Sequence, residues 1–305
     1  MAAGTGSGGT VSSTFSPIKV WLLMPSWLII GFFLALPVLL MLIYSFLTKE
    51  FRGGVIWEPT LAAYDRFIFD RGLFGDDPPK IEWVYISIFA RSIFQATGAT
   101  IFCLFIGFPT AFFIATRANN SKIIWLFLVT VPYWVNLLIR TVSMKFLIRE
   151  TGPLNELLLT LGLVDSPLKL INTNFAVQLG LFYSYLPFMV LPIYAALERY
   201  NFSFSEAASD LYAPKWTILR RILIPVVKPG IIAGCILVFV PSLGAFLAPD
   251  LLGGAKTFMI GSLIEDQFKG AAGNWPFGAA ASMILLSLVL IVLTYYARAQ
   301  AKEQI

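Results

Sequence analysis

The sequence predicts an all-α membrane protein: six transmembrane helices, with a short helical segment projecting between the fourth and the fifth. Two observations predict it. Of 305 residues, 58% are hydrophobic and 13% charged, about half the charge of an ordinary soluble domain. So few charged groups do not cover a globular surface of this size, and the mean hydropathy of +0.79 agrees. The second observation is spacing. Six stretches lack Lys, Arg, Asp and Glu: 20–48, 92–116, 123–139, 170–197, 229–249 and 270–297. A spanning helix needs about 20 mainly apolar residues. Five stretches qualify outright, and the third does if its end extends past Arg140.

The elements follow in order. Residues 1–17 are small and polar without a charged side chain. They lack the basic flank of a signal peptide, so they read as a flexible tail before an uncleaved first span. Residues 18–300 read as one membrane domain, and 301–305 as a second short tail. Between the first two spans lies a long charged loop, 49–83, with turn signals at Arg52-Gly53-Gly54 and Asp76-Asp77-Pro78-Pro79. The segment 149–169 contains an amphipathic piece, LNELLLTLGLV, suited to a membrane interface. Segment 198–228 is more than a linker. Ser203 and Glu206 have capping-box spacing and predict a short helix. Pro214 suits the first turn of a second, running to about Leu223 with Lys215, Arg220 and Arg221 on its polar side.

Charge orients the chain. With the amino terminus inside, the inner segments hold ten Lys and Arg against four acids, and the outer ones nine against thirteen. The positive-inside rule counts basic residues, so this supports both termini on the cytoplasmic side. The pI near 9.2 fits basic loops at lipid headgroups and calls for no nucleic acid.

Composition excludes chemistries. There is no histidine, which removes His-based acid–base catalysis, His metal sites and haem ligation. Cys103 and Cys235 sit inside apolar stretches as small hydrophobes. The nearest approach to a phosphate-binding loop, Gly253-Gly254-Ala255-Lys256-Thr257, has Ala255 where Gly is required. No catalytic residue, metal site or bound cofactor is expected of this chain.

One motif is specific. Glu206-Ala207-Ala208, followed by Ile222, Ile224 and Pro225, fits the pattern E-A-A-x3-G-x9-I-x-L-P. The chain thereby resembles the permease subunits of bacterial ABC importers. Two positions depart, with Tyr212 at the glycine and Ile224 where leucine is frequent. The first leaves the turn between the helices to Ala213-Pro214, because a residue before proline avoids the α region. Further stretches, among them VPYWVNLLIRTVSMKFLIRE, LPFMVLPIYAALERYN and PSLGAFLAPDLLGGAKTFMIG, are similar to the first permease subunit of spermidine/putrescine importers. The likeness covers roughly 18–300.

The resemblance implies the type I importer permease fold, with 198–228 as the segment that docks the ATPases. It implies as docking residues Glu206, Ala207, Ala208, Asp210, Tyr212, Ile222 and Pro225, the last ending the projecting knob before the next span. The implied partners are two ABC ATPases carrying ATP and magnesium, a second similar permease, an external solute-binding protein and membrane lipid. The implied cargo is a small polycation; related permeases carry aminophosphonates, thiamine or ferric ion. An ATP-independent carrier or channel is the rival class, and it would be expected to show an internal repeat or a charge deep in a span.

A polycation's path should offer carboxylates and aromatic faces. Asp250, ending the fifth apolar stretch, is the candidate carboxylate; its alternative role is to cap a loop turn. Tyr133, Trp134 and Asn136 beside Pro132 either line the path or pack as interfacial residues. Arg140 and Lys145 are expected to snorkel or pair with a loop acid, and Glu265 and Asp266 to be solvated loop charges.

Overall fold

The computed structural model describes residues 17–50, 54–70, 80–254, 257–269 and 273–303. Most of the expected tail, the turn signals at 76–79 and nearly all of that at 52–54, and residues 304–305 lie outside them. The helices are α1 (Pro17–Ser45), α2 (Ala62–Ile68), α3 (Trp83–Ala115), α4 (Asn119–Trp134), α5 (Leu137–Ile148), α6 (Pro153–Thr160), α7 (Asn174–Glu198) and α8 (Ser203–Asp210). They continue with α9 (Lys215–Leu243), α10 (Ile260–Phe268) and α11 (Trp275–Glu303). Among the described residues five are long and apolar enough to cross a membrane, and α4 with the chain from Leu137 to Thr160 forms a bent pair that makes a sixth if it is one span. The all-α membrane fold class therefore stands.

The core lies among α3, α7 and α9. Cys103, Ile114, Met189, Ile193, Leu197, Val227 and Val238 are buried there in one apolar cluster. Close approach requires small residues. A Cβ on Gly230 would lie 2.7 Å from the Pro192 carbonyl oxygen, and one on Gly234 would lie 2.9 Å from the Met189 sulfur. Membrane helices pack through such small faces because lipid removes the hydrophobic gain between helices. Polar contacts join α3 to α7 as well. Buried Gln95 donates to Asn174 Oδ1 at 2.9 Å, and Gln178 donates to Gln95 Oε1 at 2.6 Å. By contrast, α1 exposes apolar side chains nearly all round from Met24 onward and packs against α11.

The charged loop is more ordered than its sequence implied. Strand β1 (Leu47–Lys49) pairs antiparallel with β2 (Val55–Pro59), and β3 (Phe69–Asp70) with β4 (Lys80–Ile81). Between them α2 buries Phe67, whose ring stacks on Phe277 of α11 at 4.4 Å. The amphipathic piece forms α6. Its buried Asn155 donates to the carbonyls of Arg149 and Leu168 and accepts from the Leu168 amide.

Three expectations need correcting. The third span is not one helix: it breaks at Val135–Asn136 and turns by 93°. Pro225 does not end the knob, because the chain runs unbroken from Lys215 to Leu243. A wide i→i+5 turn at Leu219–Leu223 precedes Pro225. Proline lacks an N–H and its ring crowds the carbonyl four residues back; the widened turn opens that space. Finally, Glu265 belongs to helix α10 and pairs with Lys269 at 2.9 Å.

Candidate docking and translocation sites

The knob begins where α7 ends. Ser203 is not the helix cap that its spacing with Glu206 predicted. It lies in the first turn, and Asn201 supplies the acceptor, its Oδ1 taking the Ser203 amide at 3.1 Å. Glu206 then places a carboxylate in the first turn of α8, where the helix dipole favours negative charge. Tyr200 and Ser205 share a hydroxyl hydrogen bond of 2.6 Å that ties α8 to the end of α7.

The end of α8 explains the missing glycine. The Tyr212 amide donates to the Ser209 carbonyl at 2.9 Å, and the Ala213 amide to the Ala208 carbonyl at 3.0 Å. This pair is the Schellman closure, which needs a left-handed residue between its two donors' carbonyl partners and the outgoing chain. Tyr212 has φ of 57°. The bend is thus made by Tyr212 itself, in the conformation that makes glycine the default, and not by Ala213-Pro214. Pro214, extended at φ −66° and ψ 146°, instead leads into α9.

Of the predicted docking residues, Glu206, Ala207, Asp210 and Tyr212 are exposed and Ala208 is half-buried. Tyr212 is 96% exposed and Leu211 82%, and Trp216 and Phe204 are also open. An apolar, aromatic surface thus lies beside the acidic face of a short projecting helix. Ile222 turns the other way and packs against the α3–α7–α9 core, anchoring the knob. Pro225 is exposed on α9.

The break in the third span forms the second site. Asn136 caps α5, its Oδ1 accepting from the Leu138 amide at 2.8 Å. Arg140 is neither snorkelled nor paired with an acid: it is 5% exposed. Its guanidinium donates to the carbonyls of Tyr133 at 3.0 Å, Val135 at 2.8 Å and Ser184 at 3.3 Å. Those first two carbonyls lie where α4 stops, and a helix end leaves its last carbonyls unsatisfied. In a membrane each such group costs several kcal/mol, so the arginine makes the break tolerable. It also sits 5.5 Å from the centre of the Tyr133 ring, which packs edge-on against Phe188.

A cleft of about 100 Å³ opens beside this clamp, lined by Leu137, Thr141, Ser184, Tyr185, Pro241 and Ala248 among others. Tyr133, Trp134, Asn136 and Asp250 are not among its lining residues, although Leu137 and Ala248 are close neighbours in sequence. Trp134 is 79% exposed on the outside of the break. Asp250 is exposed in a wide turn, Pro249–Gly253, its amide donating to the Phe246 carbonyl at 3.0 Å. Lys269 lies within its field. The hydrogen bond that Lys269 donates to Glu265 raises its pKa, and the charges of Glu265, Asp250 and Asp266 add to it. Sequence reasoning missed the Arg140 clamp and the Gln95–Asn174–Gln178 ladder. The available signal was polar side chains inside uncharged stretches, which need partners in lipid.

Fold and sites together define a multi-pass membrane transport subunit: a broken-helix bundle bearing a short-helix knob at one end. Residues 104–301 match the family described as binding-protein-dependent transport system inner membrane component, and the chain belongs to it. Among relatives, the spermidine/putrescine transport system permease protein PotB of Escherichia coli K12 is 40% identical over 273 residues, 90% of this chain and 94% of that one. PotB of Haemophilus influenzae is 38% identical over 289 residues, 95% of each. Among solved structures, a bacterial ABC transporter importing the acidic polysaccharide alginate superposes with a TM-score of 0.63 at 17% identity, covering 93% of this chain and 96% of that one. The MetNI methionine ABC transporter gives 0.53 at 17%, covering 71% and 94%.

Proposed function

We propose that this chain is a permease subunit that forms, with a second permease, the path for spermidine and putrescine across the inner membrane. In this reading both termini and the knob are cytoplasmic. The knob, from α8 to Ile218, seats in an ABC ATPase through Glu206, Ala207, Ala208, Asp210 and Tyr212. ATP binding and hydrolysis, with magnesium, occur on that partner. Closure of the ATPase pair pushes the knob, and α9 transmits the push because it joins knob to bundle without a break. Substrate arrives from an external binding protein, passing Asp250 and the aromatic residues Tyr133 and Trp134.

The observation that carries the substrate class is the 40% identity with PotB over 90% of the chain. Uptake tests it directly. The chain, co-expressed with its permease, ATPase and binding-protein partners in cells lacking polyamine import, should restore labelled spermidine or putrescine accumulation. Uptake of labelled aminophosphonate, thiamine or ferric ion, with no polyamine uptake, would replace the substrate. Restored uptake should disappear in Glu206→Lys while the protein still reaches the membrane. Normal uptake together with normal ATPase co-purification in that variant would remove Glu206 from the docking surface.

A further inference from the structure

Behind the knob the bundle opens into a groove of about 510 Å³, lined by Phe108, Pro109, Phe112, Thr116, Phe202, Ser205, Lys215, Ile218, Leu219 and Leu223. None of the docking residues Glu206, Ala207, Ala208, Asp210 and Tyr212 lines it. Its polarity is graded. Phe108, Phe112 and Thr116 are spaced four apart on one face of α3, so that wall is about 12 Å long at 1.5 Å per residue. The facing wall on α9 runs the opposite way, from Lys215 through Leu219 to Leu223. Gly107 and Gly234 both lie against Met189, so the two walls run antiparallel, with Thr116 and Lys215 toward the knob and Phe108 toward the other end. The polar lining residues, Thr116, Ser205 and Lys215, lie toward the knob, and the rest of the lining is apolar.

We infer that this groove binds one anionic phospholipid, its acyl chain against Phe108, Phe112 and Leu223 and its phosphate at Lys215. Three features select this occupant. The knob end is cationic through Lys215, and none of the lining residues is acidic, which disfavours a cationic substrate. The residues within two positions of the lining in sequence include Arg117, Arg220 and Arg221 against a single acid, Glu206; basic pockets beside spanning helices recognise anionic headgroups. Exposed Trp216 stands next to Lys215, and tryptophan prefers the headgroup level of a bilayer. The groove touches both α8 through Ser205 and α9 through Lys215, so a seated lipid would brace the knob against α3. This assignment needs α3 to cross the membrane but does not need an ATPase on the knob.

The test uses the full chain, with its permease partner, in vesicles of phosphatidylglycerol or of phosphatidylcholine, each doped with its own acyl-chain photo-crosslinking analogue. Peptides containing 108–116 and 215–223 should be labelled at least fivefold more from phosphatidylglycerol. Lys215→Gln should bring the two lipids to near parity, and Lys215→Arg should keep the preference. Equal labelling of wild type by both lipids would overturn the assignment. So would crosslinks from the groove to a protein chain in place of lipid. Adding the ATPase separates this inference from the docking reading: labelling that persists whether or not the ATPase binds supports the groove on its own.

Discussion

Tyr212→Gly should strengthen the knob while weakening its docking. The left-handed conformation costs a non-glycine residue roughly 1–2 kcal/mol, and Tyr212 adopts it at φ 57°. The ring is 96% exposed, so its removal loses no packing within this chain. Part of the relief is offset because glycine gives the unfolded chain more freedom, which leaves about 1 kcal/mol of local stabilisation. At 1.4 kcal/mol per factor of ten, amide exchange across 203–213 should slow about fivefold. Against the ATPase the ring has another role. An aromatic anchor buried in a partner pocket carries about 2 kcal/mol or more, so association should weaken about thirtyfold in Tyr212→Gly and little in Tyr212→Phe. A strained, solvent-facing tyrosine is the combination expected when a docking contact and not the fold selects the residue. Exchange that quickens in Tyr212→Gly would refute the conformational argument. Association that is unchanged would refute the anchor.

Removing the buried guanidinium in Arg140→Met strands carbonyls of Tyr133, Val135 and Ser184; hydrogen bonds to charged groups contribute about 1.5–3 kcal/mol each. Thermal unfolding in detergent micelles should show a loss of about 3–5 kcal/mol, part of it restored in Arg140→Lys, and an unchanged midpoint would show that the break needs no clamp. Asp250→Asn should cut polyamine uptake about tenfold, since a carboxylate and an ammonium about 4 Å apart attract by roughly 4 kcal/mol at an effective dielectric near 20 before desolvation offsets part of it. Asparagine caps turns as well as aspartate, so undiminished uptake would leave Asp250 only a turn role. For topology, a reporter after Ile305 should read as cytoplasmic and one inserted at Glu58 as external; both on one side would contradict the six-span arrangement.

Much of the fold was legible because lipid makes apolar length the dominant signal: a 20-residue uncharged stretch has few alternatives to a spanning helix. The break in the third span was not legible. Pro132 marks a weak point, but proline is tolerated within α7 at Pro187 and Pro192 without a comparable bend. What differs is Arg140, which accepts the burden of the freed carbonyls through contacts that exist only after folding. At the knob the short helix predicted from Ser203 is present as Ser203–Asp210, whereas its local geometry escaped the sequence. Ser203 and Glu206 have the right spacing for a capping box, but the helix begins one turn-forming residue earlier, where Asn201 competes successfully for the amide. Tyr212 hid its own role because a bulky residue at a glycine position gives no hint of left-handed backbone. Asp250, Tyr133 and Trp134 were singled out for chemistry alone, and chemistry does not say which way a side chain faces.

In the proposed function the surface from Glu206 to Tyr212 seats the ATPase, and site-specific crosslinking decides whether it does. A photo-crosslinking amino acid at Tyr212, in membranes containing the assembled transporter, should capture the ATPase, with the yield changing when ATP is added and hydrolysis is blocked. The same group at Glu58, placed on the other side of the membrane, should capture none. An ATPase crosslink from Glu58, or none from Tyr212 in a transporter that still imports polyamine, would contradict the account.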